Sequence, residues 1–560
     1  MSSAPPVLSS RPARRLPLAG VLRVGRPSDI WFKPALSVVA AIAPPNLTLL
    51  ALGRLDLAMY TMAGSLCALY AHNRPYAARA RALVWVVLGM VGGLAVALVA
   101  ASLTGSAVVL VTVGALLAAA QKALCDATRI GPPGNVVLTF VSSASLFAPQ
   151  ILAQVPGHLA LAAATGAWAW LVCMAPALVR PHGPERRATA HALKAAAAYA
   201  DTGGTGEGHA RARAAGYAAV HAAWQSLPAG GARARTRGGL ERLVVRAEVA
   251  LAAPTEADAG RLRAWARSLR GTGPVPQVGL PRAAADELLG VDAARSLWGR
   301  LGPLTPLALR TALGCTLAGC ASLALGIGRP YWALVTAASL YQVNIALTWS
   351  RAVQRVVGNV AGVLVFAAVA PLAHLGQAAL VLCCLAFSFG AELLISRNYW
   401  LGSVCVTPMA LLITEFAGFQ KPGELMTERV VDTVVGALAG FVAAVAVTNR
   451  RAGDRLEHAL TAADQARERA ARLLAEPDRD PAALESARRA LAVALVDLRA
   501  TADAAAGEWW QRALPEERVV LTEQSGHRTL AATVRRQGLL PDRGAGTETE
   551  TETETEDVRP

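Results

Sequence analysis

Twelve apolar windows constrain the fold of this chain more than any other feature. They lie near residues 35–53, 57–71, 82–101, 105–122, 133–152, 157–179, 304–326, 331–348, 356–373, 376–395, 399–416 and 431–448. A helix needs about 20 mostly apolar residues to cross the hydrocarbon core of a bilayer. The sequence is 54% hydrophobic and 17% charged, a balance that ordinary soluble domains do not reach. The pattern predicts an all-α, polytopic membrane protein with about twelve transmembrane helices.

The distribution of basic residues predicts the orientation of these helices. The formal net charge of +15 would suggest a nucleic-acid partner in a soluble protein, but here the basic residues lie mainly between apolar windows. Arginines cluster at 74–81, at 351–355 and at 450–451, whereas the connections at 102–104, 153–156 and 374–375 contain no Lys or Arg. Because Lys and Arg accumulate on the cytoplasmic side of a membrane, we expect both termini in the cytoplasm and no nucleic-acid partner.

The two apolar halves of the chain resemble each other. A shift of 275 residues superimposes Thr61 on Thr336, Lys122 on Arg397, Pro133 on Pro408 and Thr139 on Thr414. Six spans per half give both halves the same orientation, as in parallel repeats with a site between them. The predicted domains are a cytoplasmic segment at 1–34, membrane halves at 35–180 and 303–449, cytoplasmic helical regions at 181–302 and 450–540, and a disordered acidic tail at 541–560.

Two helical patterns support the assignment of the cytoplasmic regions. Leu240, Val244, Ala247 and Leu251 recur at the spacing of an amphipathic helix. Leu484, Ala487, Leu491, Leu495 and Leu498 form a short apolar seam, which is more typical of packing within a helical bundle than of a coiled coil. The Thr-Glu alternation at 547–556 predicts disorder.

The stretch from Arg329 to Leu364, RPYWALVTAASLYQVNIALTWSRAVQRVVGNVAGVL, contains the most specific motif. Tyr331 and Trp332 open an apolar run, and Arg351 and Arg355 close it, which predicts interfacial aromatics at one end and a tight hairpin at the arginines. The pattern YWA…T…Q…R…RVVGN..G resembles the fusaric acid resistance (FUSC-like) family, a group related to aromatic acid exporters. ERVVDTVVGALAG resembles the closing segment of that family, and its Gly436 and Gly440 predict close helix packing.

The resemblance implies export of aromatic carboxylates or related organic anions across the inner membrane. Candidate substrate-binding residues are Arg351, Arg355, Arg397, Gln342, Asn344, Tyr331 and Trp332. Gln342 and Asn344 could equally hydrogen-bond a neighbouring helix. Two intramembrane acids, Glu392 and Asp432, are candidates for proton coupling, although an interhelical ion pair with an arginine near the cytoplasmic face would also explain Glu392.

Motifs for other functions are absent from the sequence. It has no P-loop, HExxH or nucleophile elbow, so we expect neither an enzyme nor ATP-driven transport. The eight cysteines lie in or beside apolar windows without metal-ligand spacing, so no metal or cofactor is expected. Lipid, a small organic anion and a second copy of the chain are the expected partners. A passive anion channel and a non-transporting membrane scaffold remain alternatives to an exporter.

Overall fold

The computed structural model describes residues 18, 20–25, 31–202, 206–229, 234–271, 273–278, 301, 304–416, 418–447, 452–476, 481–508 and 514–536. The predicted acidic tail at 541–560 and most of the predicted segment at 1–34 lie outside these residues. The chain forms two compact units. Unit 1 comprises Met1–Pro181, Ala294–Arg450 and Ala504–Arg512, and unit 2 comprises His182–Ala293, Arg451–Asp503 and Ala513–Pro560.

The described residues of unit 1 form twelve apolar helices, which confirms the all-α, polytopic prediction. In the first half they are α1 (Phe32–Ala51), α2 (Leu55–Leu69), α3 (Tyr76–Leu103), α4 (Ala107–Ala127), α5 (Val136–Leu146) and α6 (Leu152–Val179). In the second half they are α7 (Thr305–Ala324), α8 (Tyr331–Leu340), α9 (Ile345–Ala373), α10 (Gln377–Ile395), α11 (Tyr399–Thr414) and α12 (Pro422–Ala446).

Only eight of these twelve helices are long and apolar enough to cross a membrane on their own. The other four, α2, α5, α8 and α11, are the second and fifth helices of their halves. A helix of 10 residues, such as α8, extends roughly 15 Å, about half of the hydrocarbon thickness. The recurrence of short helices at the same two positions agrees with the predicted internal repeat.

The predicted hairpin at Arg351 and Arg355 is wrong. The chain breaks at 341–344 instead, and both arginines lie inside the continuous 29-residue helix α9. Asn344 caps this helix, because its Oδ1 accepts from the backbone N–H of Leu347 at 2.9 Å. The arginines suggested a loop because charge is costly in lipid, but protein side chains surround them here.

The aromatic pair also differs from the expectation. Tyr331 and Trp332 are not exposed as interfacial aromatic side chains would be, since they are only 6% and 1% exposed. They belong to an apolar cluster in unit 1 that also contains Phe366 and Met409. Small residues create the space for this packing: Gly436 and Gly440 of α12 lie directly against α8, as their spacing predicted.

Unit 2 contains helices Gly183–Ala200, Glu207–Ala229, Ala234–Ala252, Ala259–Ser268, Ala452–Ala475 and Glu516–Arg536, with most of Pro481–Ala506. The predicted apolar positions Leu240, Val244, Ala247 and Leu251 are all buried, as is the complete seam from Leu484 to Leu498. Residues of both sequence regions share one core, so the seam packs within a helical bundle.

A buried ion-pair network crosses the core of unit 2. Arg488 bonds Glu248, and its Nη2 donates to Oε1 of Glu485 at 2.6 Å. Trp224 donates from Nε1 to Glu248 Oε1 at 2.7 Å. Burial opposes the charged form of Arg488, but the two carboxylates outweigh this effect and raise the pKa of Arg488 above its usual value.

Replacing Arg488 by alanine is therefore expected to destabilise unit 2 by about 3–5 kcal/mol, because Glu248 would remain buried without its cation. Arg518 provides a matched control, since its ion pair with Glu457 is about half exposed on both sides. Arg518→Ala should cost at most about 1 kcal/mol. Denaturant unfolding of the two purified full-length variants would test this difference, and equal stabilities would contradict it.

Candidate functional site

A cavity of about 700 Å³ lies within unit 1, between helices of both halves. Leu66, Phe140 and Met409 contribute to its apolar wall. Its basic lining residues are Lys122, Arg351, Arg355, Arg397 and Arg429, against one acidic residue, Glu392. Apolar walls with a few converging charged groups are typical of sites for small amphipathic ligands.

The cavity occupies the arginine-bearing end of the helices. On α9 its lining residues are Arg351, Gln354 and Arg355, and nothing beyond them on that helix lines it. On α8 it begins at Val335, one turn after Tyr331 and Trp332, which do not line it. The cavity therefore ends at the level of Val335, with the first turn of α8 beyond it.

Arg351 and Arg355 project from one face of α9 onto Tyr399 of α11. The guanidinium carbon of Arg351 lies 3.9 Å from the centre of the Tyr399 ring. Arg355 donates from Nη1 to Tyr399 Oη at 3.2 Å, and its Nε has no partner although the side chain is only 3% exposed. A buried guanidinium with a free N–H group is costly, so an acceptor on a ligand would stabilise it.

Arg429 of α12 supplies a second buried guanidinium. With the Asn359 amide oriented to satisfy its neighbours, Asn359 Oδ1 accepts from Arg429 Nε at 3.0 Å. The guanidinium carbon also lies 3.9 Å from the centre of the Trp332 ring. Nη1 has no partner, and the side chain is 1% exposed.

The remaining charged lining residues differ in their pairing. Lys122 forms an ion pair with Asp126 at 3.1 Å, one turn along α4. Arg397 is exposed at the end of α10. Within the part of the chain that the structure describes, Glu392 forms no ion pair, so it is not bound to Arg397. Lys122 and Arg397, which the sequence repeat superimposes, both line the cavity.

The other candidates lie in different surroundings. Gln342 lines the cavity, but Asn344 caps α9 and packs against Gly507. Asp432 is fully buried, and its Oδ1 accepts from Ser322 Oγ at 2.6 Å. Of the predicted site residues, the structure thus brings together Arg351, Arg355, Arg397, Gln342 and Glu392 around one cavity.

Sequence reasoning missed Arg429, Tyr399 and Lys122 as lining residues. Arg429 is only eight residues after Lys421 in a connection rich in Glu, where it looked like a loop charge. Tyr399 is close to Arg351 only through the packing of α9 on α11, which no local pattern reports. The repeat match of Lys122 with Arg397 was the one available signal.

Among the described residues, the first membrane half contributes no arginine to the cavity lining. Arg79 of α3 is buried, and its guanidinium donates to carbonyl oxygens of Ala71, His72 and Cys173. It does not line the cavity. The buried guanidinium groups that reach the cavity, Arg355 and Arg429, both come from the second half.

An N-terminal segment, residues 20–25, is hydrogen-bonded to residues that line the cavity. Gln354 donates to Val21 O at 2.8 Å, and Asn398 donates to Arg23 O at 3.0 Å. Trp400 donates from Nε1 to Leu22 O at 3.1 Å. This segment therefore fixes two lining side chains, Gln354 and Asn398, by hydrogen bonds to its backbone.

No group of three or more His, Cys, Asp or Glu in the described ranges could hold a metal ion. The cavity thus has an apolar wall and more basic than acidic lining residues.

Comparisons with known proteins show similarity over part of the chain. Residues 317–443 match the family model described as fusaric acid resistance protein-like. The chain is 33% identical over 137 residues to the uncharacterized membrane protein YvaC of Bacillus subtilis (strain 168). That alignment covers 24% of this chain and 22% of the relative. No solved structure matches the chain significantly. The protein is thus a multi-pass membrane protein, and its second membrane half contains a fusaric acid resistance protein-like segment.

Proposed function

We propose that this protein exports organic anions, aromatic carboxylates in particular, through the cavity of unit 1. The observation that supports this most is the excess of basic groups in the lining, five against one acid. Two of them, Arg355 and Arg429, are buried and keep unpartnered guanidinium nitrogens. A carboxylate can accept paired hydrogen bonds from a guanidinium, and an aromatic ring would lie against Phe140 and Met409.

Glu392 is the proposed proton-coupling group. It lines the cavity beside the arginines and has no ion-pair partner among the described residues. When ionised, Glu392 would compete with the anion for the arginines, so a proton bound to Glu392 would release them for the anion. Asp432, which does not line the cavity, is a second candidate for this role.

Flux into proteoliposomes that contain the purified full chain would test the proposal. Toluenesulfonate is a suitable aromatic probe, because its sulfonate stays ionised and cannot leak as a neutral acid. We expect saturable uptake above that of empty liposomes, with competition by benzoate. Absence of flux would support the scaffold alternative, whereas a current independent of any pH gradient, reversing at the Nernst potential of the anion, would support the passive channel.

The proposed direction of export requires both termini in the cytoplasm. A cysteine introduced at Ala502 should then be inaccessible to an impermeant maleimide in intact cells, and one at Leu375 should react. Leu375 is a suitable positive control because it is 77% exposed in the short connection between α9 and α10. Labelling in the opposite pattern would reverse the topology that the positive-inside rule predicts.

A further inference from the structure

Four aromatic side chains form a layer next to the cavity, at the first turn of α8. Phe140 stacks on Trp332 with ring centres 5.7 Å apart, and Phe147 stacks on Tyr331 at 6.0 Å. Tyr331 and Trp332 are themselves 4.7 Å apart, so the four rings form one continuous cluster. Phe140 lies in α5, and Phe147 directly follows that helix. Tyr331 and Trp332 are the first two residues of α8.

Of the four rings, Phe140 alone lines the cavity. Phe140 lines the cavity, whereas Trp332 lies behind it and is only 1% exposed. The rings come from short helices of different halves, α5 and α8, which pack on each other. A movement that separates α5 from α8 would separate Phe140 from Trp332.

Arg429 connects this layer to the anion site. Its guanidinium lines the cavity and at the same time lies over the face of Trp332. The attraction between a guanidinium and an aromatic face is electrostatic, and it strengthens when water is excluded. An anion bound to Arg429 competes for the same charge, so it weakens the contact between Arg429 and Trp332.

We propose that Phe140, Phe147, Tyr331 and Trp332 form a gate, and that Arg429 couples anion binding to the opening of this gate. The inference rests on the proposed transport function. In the absence of an anion, Arg429 holds Trp332 against Phe140 and the pathway is closed. An anion in the cavity draws Arg429 away from the ring, and the two short helices can then separate.

The test uses leucine substitutions, which keep apolar volume but remove the rings. The full chain with Trp332→Leu or Phe140→Leu is reconstituted in planar bilayers with a toluenesulfonate gradient. We expect a steady toluenesulfonate current at least tenfold above that of the wild type. Trp332→Tyr, which retains an aromatic face for Arg429, should restore a wild-type current.

Phe441→Leu is the matched control. Phe441 forms an aromatic pair with Trp349 at 5.1 Å in the same unit, but neither residue lines the cavity. Its current should remain at the wild-type value. Phe140 is only partly buried, so Phe140→Leu keeps the test valid if Trp332→Leu fails to fold.

Coupling is tested separately with Arg429→Gln. Because Arg429 holds Trp332 against Phe140 in the proposed gate, we expect this variant to carry a larger toluenesulfonate current than the wild type. A current no larger than that of the wild type would contradict the role of Arg429. Wild-type flux without any rise in current in either leucine variant would overturn the gate while leaving the proposed transport intact. If the wild type shows no flux and neither leucine variant carries a current, the result would instead contradict the proposed transport function. A wild-type current equal to that of the leucine variants would also overturn the gate.

Discussion

Replacing Arg351 and Arg355 together by lysine is expected to lower toluenesulfonate flux about a hundredfold and to leave membrane insertion unchanged. Lysine preserves the charge that orients the helices, so topology is satisfied. It cannot stack on Tyr399 as a planar guanidinium does or offer two parallel N–H groups to one ligand. Two lost charge-assisted hydrogen bonds of about 1.5 kcal/mol each correspond to about two factors of ten.

Arg81→Lys is the matched control for this double variant. Arg81 is an exposed arginine near the start of α3 that does not line the cavity. Flux would be compared at equal membrane abundance of each protein. Unchanged flux in the double lysine variant would show that Arg351 and Arg355 act only as topology anchors.

Gly436→Ala is expected to prevent accumulation of folded protein. A Cβ at Gly436 would lie 2.4 Å from the carbonyl oxygen of Ala333 and 2.8 Å from Thr336 Cβ. The backbone of α8 cannot move away from α12 without opening the apolar cluster that contains Trp332. Overpacking of a tightly packed interior costs at least about 1–3 kcal/mol, and a backbone clash costs more.

Gly423 on the same helix gives a direct comparison, because a Cβ there would have no atom within 4 Å. The measurement is the yield of monodisperse protein after detergent extraction. Gly423→Ala should match the wild type. A wild-type yield for Gly436→Ala would show that α8 and α12 can separate without loss of the fold.

The membrane architecture followed from one-dimensional patterns. Apolar windows gave the twelve helices, because lipid requires apolar side chains along any helix that it surrounds. The repeat was visible in matches such as Lys122 with Arg397, and both residues indeed line the cavity. The amphipathic period around Val244 likewise located a buried face in unit 2.

The lengths of the helices and the position of the break before α9 did not follow from these patterns. Apolar residues are equally compatible with a helix and with an extended segment buried in protein. Composition alone therefore could not predict that α8 ends at Leu340. A hairpin was predicted at Arg351 and Arg355 because charge is costly in lipid, although α9 continues through both. The burial of Tyr331 and Trp332 could not be predicted either, because an aromatic side chain suits both a membrane interface and a protein core.

The sequence by itself therefore determined the class of this protein, its internal repeat and most of the basic residues of its cavity, because hydrophobicity and charge act locally along the chain. Only the tertiary structure decided which groups share that cavity. Arg429 and Tyr399 come near Arg355 and Arg351 through the packing of α9 against α11 and α12. The same packing places Asn344 and Asp432 outside the cavity lining. Long-range contacts, and not the local sequence pattern, determine which face of a helix meets a ligand.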